Sequence, residues 1–138
     1  RFVLTTLAED AMTKETWADL WRQEKNHFVW TIEHILPQGE NLPAAWQEML
    51  GGKEVAAQVQ EEHRHRLCNL TVTAYNSNLG NRSFEYKKTR TDGKGNPIGF
   101  NNALSLNADV VGADEWTETE ITARTTVLAQ RTLDLFPI

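Results

Sequence analysis

The chain has 138 residues, enough to bury a respectable core within one domain. Apolar residues make up 40% of it, but no unbroken apolar run reaches the length of a bilayer span, and no secretory leader pattern is present. A formal net charge of −5 argues against holding nucleic acid by bulk charge alone, and a single cysteine excludes an internal disulfide or a zinc ribbon of paired CxxC motifs. A reducing, cytoplasmic setting is expected, with Cys68 as a small buried apolar residue rather than a nucleophile.

The first residues, Arg1-Phe2-Val3-Leu4, read as the middle of a helix, which suggests a C-terminal fragment of a larger protein. Helical spacing of Phe2, Leu4, Leu7 and Met12, then of Trp17, Leu20 and Trp21, predicts helix to about Gln23. From Phe28 to Ile35 the β-formers Phe28, Val29, Trp30, Thr31 and Ile32 predict a short strand ending near His34, stopped by Pro37. A short helix is expected from about Pro43 to Leu50, closed by Gly51-Gly52, and another from Lys53 to about Arg66. Leu67 to Thr73 reads as a second strand, and Ala74 to about Arg90 as helix with a break near Gly80. Asp92 to Pro97 is a loop dense in turn formers. Thr117-Glu118-Thr119-Glu120 fits a capping box that opens a final helix carrying Ile121, Leu128 and Leu135 at helical spacing. The five tryptophans, Trp17, Trp21, Trp30, Trp46 and Trp116, read as core, and Arg124 as a buried structural donor.

Three polar features fall in the order strand, strand, helix. Glu33-His34 closes the first strand, Asn69 opens the second, and the cluster Asn76, Asn78, Asn81 occupies the first turns of the helix that follows. Phosphodiester hydrolysis needs a base for water and a cation beside the phosphate. A histidine at a strand end, a neighbouring carboxylate and an amide oxygen from the facing helix supply those groups. Oxygen donors of this kind suit Mg²⁺ or Mn²⁺ better than zinc. Asn69 is placed to hydrogen-bond across the connecting loop and hold the histidine. Each residue also has a plain structural role: a satisfied strand-end histidine, an exposed strand glutamate, helix-start asparagines.

The charge is unevenly spread. From His63 to Lys94, the residues Arg64, Arg66, Arg82, Lys87, Lys88, Arg90 and Lys94 are opposed only by Glu85 and Asp92. This stretch is either a DNA-facing surface or a solvated helix face. His63 and His65, with Arg64 and Arg66, are phosphate contacts or simply a helix end; the missing second ligand cluster counts against a zinc site there.

Glu33-His34-Ile35-Leu36-Pro37-Gln38, then His65-Arg66-Leu67-Cys68-Asn69-Leu70-Thr71-Val72-Thr73, then Asn76-Ser77, Leu79, Asn81, Phe84 and Lys87 resemble the C-terminal nuclease domain of GmrSD-type restriction enzymes. The same domain ends the phosphorothioation-sensing restriction proteins of the Ssp defence system. The likeness continues through Gly99-Phe100, Leu106-Asn107, Trp116, Ile121, Arg124 and Leu128. Cys68 stands where that family usually has glycine.

The resemblance implies an HNH, or His-Me finger, nuclease filling residues 1–138 as a single domain. Its fold would be α+β and mostly helical, with a ββα-metal core of two short antiparallel strands and a helix, surrounded by further helices. It makes His34 the general base, Asn69 the middle asparagine and Asn76 the third catalytic position. Glu33 and Asn76 become ligands of Mg²⁺ or Mn²⁺; Asn78 is the rival ligand because its separation from Asn69 matches other HNH domains. DNA would be held by Arg64, Arg66, Arg82, Lys87 and Lys88. A nucleotide-hydrolysing, modification-sensing N-terminal domain would be the partner, and phage or other foreign DNA the target, nicked or cut. The competing readings are a DNA- or partner-binding module without catalysis, and an RNA nuclease with the same site.

Overall fold

In the computed structural model, which describes residues 1–138, the chain begins with helix α1 (Phe2–Glu9) and a small hairpin, β1 (Gln23–Glu24) and β2 (His27–Phe28). Strand β3 (Thr31–His34), helices α2 (Ala44–Leu50) and α3 (Lys53–His63), and strand β4 (Leu70–Thr73) follow. Helices α4 (Asn76–Leu79), α5 (Phe84–Thr89), α6 (Ala108–Val111) and α7 (Glu118–Leu135) complete the order, with 3-10 turns at Leu67–Asn69 and Ser105–Asn107. Both sheets are two-stranded and antiparallel, and the fold is α+β and mostly helical, as expected. No helix is long and apolar enough to cross a membrane.

The N-terminal segment departs from the expected long helix: α1 ends at Glu9, and Trp17 is 70% exposed. Local polar side chains take the backbone groups that a continuing helix would use. Thr13 N–H donates to Thr16 Oγ1 at 3.0 Å, Thr16 N–H donates to Thr13 Oγ1 at 3.3 Å, and Trp21 N–H donates to Asp19 Oδ1 at 3.0 Å. The hairpin β1–β2 then turns through Lys25 (φ 49°) and Asn26 (φ 64°), two consecutive left-handed residues as a tight hairpin turn requires. No glycine marks this turn, so it is not legible from the residues alone.

The strand expected from Phe28 to Ile35 is split, with Phe28 in the β1–β2 hairpin and β3 confined to Thr31–His34, while the later elements fall close to their expected places. Gly51 closes α2 at φ 99°, and Gly80, at φ 36°, separates α4 from α5. The capping box is complete: Thr117 N–H donates to Glu120 Oε2 at 2.8 Å, and Thr119 N–H donates to Thr117 Oγ1 at 3.3 Å. Such a cap contributes about 1 kcal/mol. The second strand starts at Leu70, because Leu67–Asn69 coils into a 3-10 turn in which Asn69 N–H reaches Arg66 O at 2.9 Å.

The core is divided into two apolar clusters, of which only the second includes residues of the β3–β4 pair. One gathers Ile35, Leu36, Trp46, Cys68, Leu79, Phe84, Phe100 and Trp116, with Phe84 between the two tryptophans at 5.8 Å centroid distances. The other gathers Leu4 and Leu7 of α1, Val72 of β4 and Leu128 of α7 with Leu20 from the segment after α1 and Leu106 from the 3-10 turn Ser105–Asn107. Burying a large side chain of this kind stabilises by about 2–3 kcal/mol. Of the five tryptophans, only Trp46 and Trp116 are fully buried; Trp30 is partly covered, and Trp21, like Trp17, is exposed. Gly99 is required by close packing: a Cβ there would lie 2.5 Å from Lys87 O and 2.7 Å from Lys88 O, at the end of α5.

Candidate functional site

The register of β3 and β4 pairs Thr31 with Thr73, Ile32 with Val72, Glu33 with Thr71 and His34 with Leu70. Cross-strand partners share a face, and successive residues alternate. Ile32 and Val72 pack into the second apolar cluster, while Glu33 and Thr71 are both buried among polar groups. Thr71 donates a very short hydrogen bond to Asn107 Oδ1. The strand pair therefore has an apolar face and a polar buried face.

Glu33 is only 3% exposed, and its charge is met by Lys87, whose Nζ lies 2.6 Å from Glu33 Oε1. Lys87 Nζ also donates to His34 O at 2.5 Å and to Gly80 O at 3.0 Å. One ammonium group thus ties the end of β3 to the glycine between α4 and α5. Burial pushes the Glu33 carboxyl up and the Lys87 ammonium down, and each partner's opposite charge opposes that shift. Lys87 and Lys88 are corrected here as DNA contacts. Both are buried, and Lys88 Nζ donates to Ala113 O at 2.8 Å. Helical spacing held the signal, because Lys87 lies three residues after the buried Phe84 and shares its inner face.

His34 is half-buried. Its Nε2 lies 3.1 Å from His65 Nδ1, with the two rings edge-on at 76°. Burial first, then the neighbouring basic groups of His65, Lys87 and Arg64, hold the His34 imidazole down at about 4, so it is neutral near pH 7. His65 as a partner of His34 is not foreseen from the sequence, where it reads as a phosphate contact or a helix-end residue.

Asn69 is fully buried and fixes the turn after His34. Leu36 N–H donates to Asn69 Oδ1 at 2.8 Å, and Asn69 Nδ2 donates to Leu36 O at 2.9 Å and to Arg64 O at 3.1 Å. Trp116 Nε1 adds a bond to Oδ1 at 3.2 Å, and the Asn69 carbonyl takes Ile35 N–H at 2.9 Å. The cross-loop bonding expected of this asparagine is present, with Asn69 at the end of the 3-10 turn rather than within the strand. Arg124 braces the same segment from α7. Its Nη1 donates to Cys68 O and Leu70 O, each at 2.8 Å, and its Nη2 donates to Leu106 O at 2.9 Å.

A cavity of roughly 360 Å³ is lined by Ile32, Glu33, His34, Asn76 and Asn81 together with the Pro37–Gly39 turn and Gly80. Asn76 is docked onto β3, its Nδ2 donating to Ile32 O at 2.6 Å and to Thr31 Oγ1 at 3.2 Å. Its Oδ1 bonds to no group of the chain. Asn78 is exposed and lies outside the cavity lining. Glu33 and Asn76 line this cavity together, and a carboxylate and an amide oxygen are donor types that suit a hard divalent cation, with the carboxylate also paired to Lys87.

Of the remaining basic candidates, Arg66 and Arg82 are exposed and Arg64 is half-buried. Arg64 pairs with Glu61 at 3.4 Å and Arg66 with Glu62 at 3.6 Å, both within reach of solvent and weak. A separate cluster joins α3 to α7, where His63 Nε2 lies 3.1 Å from Glu118 and 3.9 Å from Glu62. His63 Nδ1 is buried with no partner. A cation on Nε2 would force the proton onto Nδ1, where nothing accepts it, so this cluster works as a helix clamp.

Residues 1–131 match the family described as GmrSD restriction endonucleases, C-terminal domain, and the chain belongs to that family. No curated protein and no solved structure matches it.

Proposed function

We propose that the chain is a metal-dependent endonuclease of the HNH type that hydrolyses DNA phosphodiester bonds in restriction of foreign or phage DNA. The observation that carries this reading is that Glu33, His34 and Asn76, from a strand and a helix some forty residues apart in sequence, line one cavity. In this reading His34, neutral at working pH, takes a proton from water at Nδ1, the ring nitrogen that bonds to no group of the chain. The oxygen so activated attacks phosphorus, and the bond from phosphorus to the leaving sugar oxygen breaks. Glu33 and the Oδ1 of Asn76 hold Mg²⁺ or Mn²⁺. When bound, such an ion supplies positive charge to the phosphate and the leaving oxygen. Lys87 keeps Glu33 in place and lowers the negative charge offered to the cation, so a cation affinity weaker than that of a two-carboxylate site is expected. Arg64, Arg66 and Arg82 remain the phosphate contacts. An N-terminal nucleotide-hydrolysing domain would supply modification sensing, and the cytoplasm the setting.

Supercoiled plasmid incubated with the purified chain and Mg²⁺ or Mn²⁺ tests this. Nicked or linear product that disappears with EDTA and in His34→Ala is expected. Cutting that persists in His34→Ala would refute the role of His34. DNA binding with no cutting in any metal would favour the binding-module reading.

A further inference from the structure

A neutral imidazole can act as a base through only one of its two nitrogens, and the other nitrogen's hydrogen bond decides which. His34 Nε2 is at hydrogen-bond distance, 3.1 Å, from His65 Nδ1, and His34 Nδ1 bonds to no group of the chain. Two neutral rings in that arrangement share a single proton across the contact. His65 is exposed, yet the backbone beside it is held. Arg64 N–H donates to Gln60 O at 3.0 Å, Arg66 N–H donates to His63 O at 3.0 Å, and Arg64 O accepts from Asn69 Nδ2 at 3.1 Å. The same Asn69 ties the turn after His34. One buried side chain therefore sets both imidazoles on a common frame.

We propose that His65 is a positioning residue for the nuclease reaction, its Nδ1 accepting the Nε2–H of His34 and so fixing the tautomer in which His34 Nδ1 is the free lone pair. The proposal rests on the nuclease reading of His34. In the reverse arrangement His65 Nδ1–H donates to His34 Nε2, neutral His34 carries its proton on Nδ1, and neither nitrogen can accept from water. In the productive arrangement the proton of His65 sits on its own Nε2. Loss of the acceptor lets His34 rotate and sample both tautomers. That slows the reacting step without altering how substrate is held.

The test uses a fluorescein-labelled DNA duplex with Mg²⁺, comparing the unaltered chain with His34→Ala, His65→Phe and His65→Asn. The Asn Oδ1 stands one bond from Cγ, as Nδ1 does, and is an acceptor; Phe keeps the ring and has none. The expected result is a fall of roughly tenfold in kcat for His65→Phe, the size of one lost orienting hydrogen bond, with KM within twofold and most of kcat restored in His65→Asn. An unchanged kcat in His65→Phe overturns the proposal. So does a raised KM with kcat intact, which would make His65 a phosphate contact instead. Nitrogen-15 spectra of the labelled chain supply a readout that does not depend on cutting. One His34 tautomer, protonated at Nε2, is expected in the unaltered chain and in His65→Asn, and a mixture in His65→Phe. If the unaltered chain fails to cut, or cuts equally well as His34→Ala, the nuclease reading fails by itself. The spectra still decide the proposal, and an identical tautomer in His65→Phe would sink it.

Discussion

Replacing Asn69 with alanine is expected to be among the most destabilising single changes in the chain, although it removes no apolar surface of consequence. The side chain accepts from Leu36 N–H and Trp116 Nε1–H and donates to Leu36 O and Arg64 O. Each bond contributes about 1 kcal/mol net, and a donor left buried without a partner costs about 1–3 kcal/mol. Leu36 and Trp116 are 0% and 1% exposed, so water does not readily replace the lost carbonyl. Allowing for partial relaxation, the loss is about 3–5 kcal/mol, within the range reserved for broken buried networks. In urea, with a slope of about 2 kcal/mol per molar, this lowers the midpoint by about 2 M at unchanged slope. The exposed Asn78→Ala serves as control and is expected to stay within about 0.5 kcal/mol of the unaltered chain. Asn69→Asp keeps the acceptor but points an oxygen at Leu36 O and Arg64 O, so it should destabilise at least as much. A loss below about 1 kcal/mol in Asn69→Ala would refute the reasoning and mean that the turn after His34 is held by something else.

Lys87→Met leaves Glu33 buried and unpaired and should cost about 3–5 kcal/mol; adding Glu33→Gln should recover part of that, and strict additivity in denaturation would show that the pair is not coupled. Asn76→Ala should weaken Mn²⁺ binding, read by calorimetry, at least tenfold as one of few protein ligands is lost, while Asn78→Ala should leave it unchanged; the opposite pattern would move the ligand role to Asn78. In the metal-free chain the His34 ring should titrate near 4 by proton resonance. Because its ordinary value is 6.5, the unfolded chain binds a proton that folded His34 refuses between about 4 and 6.5, so His34 lowers stability progressively as pH falls through that window. A midpoint near 6.5 would remove the burial argument.

Local chemistry was enough for the sequence to determine much of this protein. Glycines at Gly51 and Gly80 ended helices because only they take those backbone angles cheaply, and Thr117 with Glu120 opened α7 through bonds between near neighbours. The strand ending at His34 and the buried Arg124 were legible from β-former content and apolar surroundings. The family likeness read from Glu33 to Leu128 agrees with the match over residues 1–131. Helical spacing put Lys87 and Lys88 on the face of Phe84, but that this face lies in the interior was decided by tertiary structure. A lysine count measures charge, but exposure depends on which helix face meets the core, and Glu33 makes burial of Lys87 tolerable only once β3 lies beside α5. The meeting of His34 with His65 likewise needed both chain ends of a long connection to be fixed by Asn69. Hydrogen-bond reach is a few ångströms, so no pattern in residues 34 and 65 alone could disclose it. Past α1, the expected helix failed because Thr13, Thr16 and Asp19 turned their side chains onto the backbone, a competition that apolar spacing does not register.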